Sequence, residues 1–600
     1  MKKILLSITF ALMGIVSGFA AKAHTALTTI TQSDGSQLTI RLHGDEHFSW
    51  YSTADDVLLV QVGNNYYVAQ VEEDGTLKAT PQLAHNAGER GTVEEQVINN
   101  QNKEKFLNSL NAEPQALAKP IGTVTPAYFP HTGSPKALVI LVEFQDVKFK
   151  TSDPVATFTH YLKGVDGEEA PEANNAYVTK GMVNYGSVSQ YFKDMSQGQF
   201  KPQFDIVGPV TVSKNSAYYG GNTGRTDANF AKMIAEACKG VSDKVNFADY
   251  DLNNDGYVDL VYVIYAGYSE SINGNSSDCL WPKSGTNAFY EPGTNNLLKL
   301  NGKRICRYGI NNELNGTPKN WIEGKPLLNG IGLFCHEFSH TMGLPDLYPT
   351  VETSRVDNQN PEYWDLMDGG EYTYSGYFPT PYSPWEMEVM GWTTPVELGD
   401  EAKQVNLNSY ASDRTTYKIN GKNDEYLLIQ NIQTDGWWRG ITKAYNTGML
   451  VWRIDYPYTT VSLDNRLNNE IGKPNVMIVP ADGYVISAYN VTDDDESKAK
   501  YKASLKADPF PGANNVPELL SVKLNKSTLK KPFYNIKETN GVITFDYLKD
   551  YATGIDQTLA DKDTEKNQSI FSLDGRYLGN DASKLTKGIY IIGKKKVVIK

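Results

Sequence analysis

Residues 334–348 read FCHEFSHTMGLPDLY. Inside them, His336-Glu337-Phe338-Ser339-His340 holds two of the eight histidines in 600 residues. The surrounding run NGIGLFCHEFSHTM predicts a helix that is apolar apart from these groups. On a helix, positions i and i+4 share a face, so His336 and His340 can aim both imidazoles at one point. Glu337 is turned by about 100° from His336. It therefore reaches the open coordination position of a bound ion rather than its protein side. Two zinc ligands beside a general base give an apolar helix a reason to carry three polar groups.

Catalytic zinc takes three protein ligands plus water. No histidine follows His340, so the third ligand is expected to be a downstream carboxylate. Gly343 can take the left-handed conformation that ends the helix and turns the chain back. Asp346 stands six residues after His340. The pattern H-E-x-x-H-x-x-G-x-x-D is the long metzincin pattern with Asp in place of its third His. Glu362 and Glu371 are the rival ligands. Met367, within YWDLMDGG (363–370), reads as the Met-turn, a hydrophobic floor under the metal. Tyr372 and Tyr374 are both oxyanion candidates, and the sequence does not choose between them.

A second site is expected at 249–259, DYDLNNDGYVD. Asp251, Asn253, Asp255 and Asp259, with Gly256 for the turn and the carbonyl of Tyr257, match an oxygen-ligand calcium loop. Position 12 is Tyr262 rather than Glu, so the loop departs from a standard EF-hand. Calcium here would be structural.

The chain is long enough for several domains. Met1-Lys2-Lys3, the apolar run 4–16 and Ala21-Lys22-Ala23 read as a signal peptide over 1–23. Residues 24–130 alternate polar and β-prone stretches and read as a small β-rich unit, with a helix-prone linker at 86–105. KALVILVEF (136–144) and LVYVIYAG (260–267) read as buried strands, with helical spacing between them, giving an α/β core over 131–400. Residues 401–550 read as a β-sandwich-like accessory domain. Residues 551–600 read as a linker and a small module of three short strands. No later segment has eighteen consecutive apolar residues, and none reads as a transmembrane span. The net charge of -13 disfavours nucleic acid as a partner. The four cysteines, Cys238, Cys279, Cys306 and Cys335, lack the spacing of a structural zinc site. They read as buried thiols or as one or two disulfides.

Together these residues resemble the immune inhibitor A family of secreted metallopeptidases. KALVILVEFQD (136–146), SVSQYFKDMSQGQF (187–200), DLNNDGYVDLVYVIYAG (251–267), YWDLMDGG and YSPWEMEVMGW (382–392) resemble successive blocks of it. The resemblance implies a zinc endopeptidase acting on proteins or peptides, made as a latent precursor. It implies that residues 24–130 are the propeptide, that His336, His340 and Asp346 bind zinc, and that Glu337 is the general base. With no cysteine before Cys238, latency through a cysteine ligand is excluded. The tail SIFSLDGRYLG … KLTKGIYIIGKKKVVIK is similar to C-terminal sorting signals of type IX secretion. It implies contact with secretion machinery and a secreted or cell-surface location on a bacterium. The competing reading is a surface protein that binds proteins or glycans and keeps zinc only for structure. Glu337 speaks against it, since a structural site has no use for a base beside an open position.

Overall fold

The computed structural model describes residues 27–599, except 45–48, 111–127, 165–183, 222–226, 274–277, 317–325, 457–466, 493, 552–568, 574, 580–583 and 593–594. The expected signal peptide lies outside the described residues.

The N-terminal unit is a six-stranded antiparallel meander: β1 Thr28–Thr31, β2 Gln37–Gly44, β3 Ser49–Thr53, β4 Leu58–Val62, β5 Asn65–Val71 and β6 Leu77–Leu83. Alternation sets its faces, and Leu38, Ile40 and Leu42 of β2 all point inward. Helices α1 Thr92–Asn99 and α2 Lys103–Leu110 follow. The run 86–105 is thus largely helical, as expected, but it is no linker. Phe106, one residue beyond it, is fully buried against Trp50, Leu58 and Ala69 of the sheet. Val97 and Ile98 pack on the sheet as well, and Gln101 bonds to the backbone of Leu58 and Ala69, so these anchors outweigh the polar composition on which the linker reading rested.

The central unit starts at β7 Lys136–Glu143 and continues through α3 Pro154–Lys163, α4 Val188–Met195, β8 Gln203–Thr211, α5 Phe230–Gly240, β9 Val261–Tyr265, β10 Lys283–Thr286 and β11 Arg307–Asn312. The strands form one sheet in the order β10-β11-β9-β7-β8. Four run parallel, and β10 is antiparallel at the edge. The apolar runs in β7 and β9 are continuous because both faces of the sheet are covered. Ala137, Val139 and Leu141 face α3, α4 and the metal-motif helix. Leu138, Ile140 and Val142 face α5.

The C-terminal module begins with a five-stranded sheet: Val396–Glu397, Tyr417–Asn420, Tyr426–Ile432, Gly448–Ile454 and Val476–Ile478. A three-stranded sheet of Lys403–Leu407, Phe533–Thr539 and Val542–Tyr547 covers one face. Leu427, Ile429, Met449 and Val451 pack into that sandwich core. Their alternate neighbours Leu428, Ile432, Leu450 and Trp452 pack into the same core as the metal-motif helix. A sandwich-like arrangement is present, and the expected boundary at residue 400 falls inside one continuous apolar core. The tail holds a four-stranded antiparallel sheet between Ile570 and Ile599, one strand more than the sequence reading. Among the described residues, no helix is long and apolar enough to cross a membrane.

Candidate active site

The motif helix is α6, Ile331–Met342. Its rotation is set by Phe334 and Phe338, each two residues before a histidine and so about 200° away around the helix. These two rings stack on each other and pack on Tyr262 and Phe204 of the sheet. With the aromatic stripe turned into the core, His336 and His340 are turned toward the loops. Gly343 ends the helix in the left-handed region at φ +108. Its N–H bonds to the carbonyl of His340, and the N–H of Leu344 to that of Ser339. The chain then doubles back and brings in Asp346.

The two histidine Nε2 atoms lie 3.2 Å apart. Asp346 Oδ1 lies 3.2 Å from His336 Nε2 and 3.3 Å from His340 Nε2. A tetrahedron with metal–ligand bonds of about 2.0–2.1 Å has edges of about 3.3–3.4 Å, so the three donors stand at the spacing of three corners. Each imidazole is oriented through its other nitrogen. His336 Nδ1 is 3.0 Å from the carbonyl of Leu366. His340 Nδ1 is 2.7 Å from that of Leu344. A ring that donates from Nδ1 presents a bare Nε2 to the shared point. The residues fit a divalent metal ion. Among the described residues, this is the one group of three or more His, Cys, Asp or Glu side chains so gathered.

The surrounding charge suits a cation. Burial alone would push the His336 imidazole down, but Glu371, Asp346 and Glu337 outweigh it and hold it well above its ordinary pKa. Burial likewise pushes Asp346 up, and the two imidazoles reverse it, drawing the carboxyl well below its usual range. Glu371, weighed as a rival ligand, takes another position. Its Oε1 is 3.7 Å from His336 Nδ1, behind the ring rather than on the donor side. Glu362 is also elsewhere. Its carboxylate accepts from Asn360 Nδ2, the N–H of Ala488 and the hydroxyl of Tyr501.

Glu337 is fully buried, and its Oε2 accepts from the hydroxyl of Ser284 on the edge strand β10 at 3.2 Å. Sequence reasoning missed Ser284, because it lies 53 residues upstream in a segment with no motif. Met367 is fully buried in the core that holds Met342, Leu344 and Leu347. The carboxylate of Asp365 accepts from the Met367 N–H at 2.6 Å. Of the two tyrosines, Tyr374 is 53% exposed. Tyr372 is buried, and burial pushes its hydroxyl well above the ordinary pKa, with Glu371 and Glu337 adding to the effect.

The 251–259 loop is drawn together, with an ammonium inside it. Asp251 accepts from the N–H groups of Asp255 and Gly256, and Lys303 Nζ lies 2.5 Å from its Oδ2. Asn253 Oδ1 accepts from Asp255 N–H, and Asp259 Oδ2 from Leu252 N–H. Tyr257 lies on a two-residue strand, Tyr257–Val258. Tyr262, at position 12, points away and donates to Asn311. Cys238, Cys306 and Cys335 are thiols, the first and last fully buried.

Residues 129–392 match the family described as Immune inhibitor A peptidase M6, catalytic domain. The chain is 24% identical over 281 residues to the Pre-pro-metalloprotease PrtV of Vibrio cholerae serotype O1, covering 42% of this chain and 29% of that protein. It is 24% identical over 323 residues to the Immune inhibitor A of Bacillus thuringiensis subsp. alesti, covering 47% of this chain and 44% of that protein. The chain thus spans less than half the length of either curated relative.

Proposed function

Because the chain carries, over residues 129–392, the catalytic domain of the immune inhibitor A peptidase M6 family, we propose that it is a zinc metalloendopeptidase hydrolysing peptide bonds of proteins. The observation that carries this reading is the His336–His340–Asp346 triangle, with the buried carboxylate of Glu337 on the same helix. A His, His, Asp donor set suits zinc, which when bound supplies Lewis acidity to a water and to the scissile carbonyl. Glu337 takes a proton from the attacking water and returns it to the departing amine. Water and peptide are thereby converted to a carboxylate end and an amine end. Ser284 holds Glu337 in place, and Tyr372 is the donor available for the developing oxyanion. The long motif and the buried turn at Met367 support a metzincin-like arrangement.

The chain is made as a precursor, with residues 24–130 as its propeptide, and is secreted or held at the cell surface. Its basic head and apolar run support export, and the printed name of the PrtV relative supports a precursor. The tail's likeness to sorting signals supports a role in secretion. A calcium ion in the 251–259 loop belongs to the same reading and requires Lys303 to withdraw from Asp251. Calcium that raises the melting temperature of wild type, and leaves Asp255→Asn unmoved, would support it.

The deciding experiment compares full-length wild type with Glu337→Ala, measuring zinc content and hydrolysis of unfolded casein after removal of the N-terminal unit. The expected result is zinc in both proteins and cleavage by wild type alone. A folded wild type that takes up no zinc would overturn the reading.

A further inference from the structure

The N-terminal sheet does not close its core with its own residues. Leu38, Ile40, Leu42, Tyr51, Leu59 and Tyr66 share one buried apolar cluster with Trp281, which belongs to the central unit and is itself fully buried. Beside it the Tyr51 hydroxyl donates to Glu270 Oε1 at 3.0 Å, and Glu270 is likewise fully buried. Both partners lie on the chain leading into β10. The N–H of Trp281 bonds to Asp227 Oδ2 at 2.9 Å, and Lys283 Nζ pairs with the same oxygen at 2.7 Å. The next residue, Ser284, carries the hydroxyl that holds Glu337. A short path of bonded and consecutive residues therefore joins the N-terminal sheet to Glu337. His336 and Glu337 are fully buried, and the His340 side chain is 12% exposed.

We propose that Glu270 and Trp281 form the latch on which residues 28–83 dock, and that this contact must open before the cleft admits substrate. The proposal rests on the peptidase reading above. The sheet leaves only by exposing an indole to water and by taking the Tyr51 hydroxyl away from a buried carboxylate. Both steps oppose spontaneous release. Once the connecting chain is cut, nothing covalent opposes it.

The test uses the full chain in a Glu337→Ala background, which removes self-cleavage, with amide hydrogen exchange as readout. Tyr51→Phe and Glu270→Gln are each expected to speed exchange in β2 and β3 by about 5–30-fold, leaving α6 unchanged. The double variant should be no faster than the faster single, because Tyr51→Phe removes the hydrogen bond and Glu270→Gln, which keeps an acceptor oxygen but loses its charge, only weakens that same bond. Unchanged exchange in both singles, or multiplicative effects in the double, overturns the latch. With Glu337 restored, full-length Tyr51→Phe should cleave casein before N-terminal processing and faster than unprocessed wild type. Equal latency of the two, in preparations that trypsin converts to active enzyme, also overturns it. If trypsin awakens neither, the peptidase reading is what fails, and the exchange result still judges the latch.

Discussion

Leu347 donates its backbone N–H to the carbonyl of Met367 at 2.8 Å. The segment that delivers Asp346 is thus tied by main chain to the turn under the site. Leu366, the neighbour of Met367, receives His336 Nδ1. One turn therefore orients two of the three proposed metal ligands, and disturbing it should appear in metal binding before it appears in the fold.

Glu371 stands behind His336 and should increase its donor strength. Glu371→Gln keeps the shape and removes the charge. Zinc affinity, measured by competition with a chromogenic chelator, should fall by about 10–100-fold with the melting temperature of the metal-free protein little changed. Equal affinity in the two proteins would mean that the carbonyl of Leu366 alone orients the ring.

Ser284 donates to Glu337, the proposed general base. Ser284→Ala should leave zinc content as in wild type and lower kcat by about 10–150-fold with little change in KM, since a hydrogen bond to a charged group is worth about 1.5–3 kcal/mol. A rise in KM with unchanged kcat would place Ser284 in substrate binding instead.

Asp365 and Glu386 are a fully buried carboxyl pair, and both accept from the N–H of Ser383, at 2.9 and 2.8 Å. Burial pushes each up, and for Glu386 the neighbouring Asp365 pushes further. A carboxyl whose folded pKa is raised contributes stability that is complete below the unfolded pKa and lost as pH rises through the folded one. The melting temperature should therefore decline as pH rises above the ordinary carboxyl range. Glu386→Gln, which carries no titrating proton, should flatten that decline. An unchanged slope over that range in the variant would assign the loss to other groups.

Gly332 lies in the first turn of α6, where a Cβ would sit 1.9 Å from the carbonyl oxygen of Glu371. Helix propensity favours alanine there by about 1 kcal/mol. The clash with backbone should win, since overpacking costs about 1–3 kcal/mol and the oxygen belongs to a buried loop. Gly332→Ala should lower the melting temperature and weaken zinc binding together. A more stable protein would show that the loop yields.

How much of this was legible in the sequence follows from which interactions are local. His336, Glu337, His340 and the Gly343 cap lie within two helical turns, where spacing fixes geometry. Asp346 is close enough for the cap to predict its return. Alternation exposed β2, and the continuous apolar run exposed β7, because faces follow period. Glu371 was open to confusion, since a sequence cannot say which nitrogen of an imidazole a carboxylate meets. Ser284, Trp281 and the continuity between α6 and the C-terminal sheet depend on long-range packing and leave no periodic trace. The 86–105 run misled because its anchors, Val97, Ile98 and Gln101, are few among polar residues and the largest, Phe106, lies just outside it.

The strands Tyr426–Ile432 and Gly448–Ile454 lend one face to the core that holds α6, and this has a consequence in time. Synthesis proceeds from the N-terminus, so His336, His340 and Asp346 emerge well before those strands. A nascent chain halted near residue 400 holds all three, and the Met367 turn, and still lacks Leu428, Ile432, Leu450 and Trp452 of the shared core. The packing around α6 is therefore completed late, when those strands arrive.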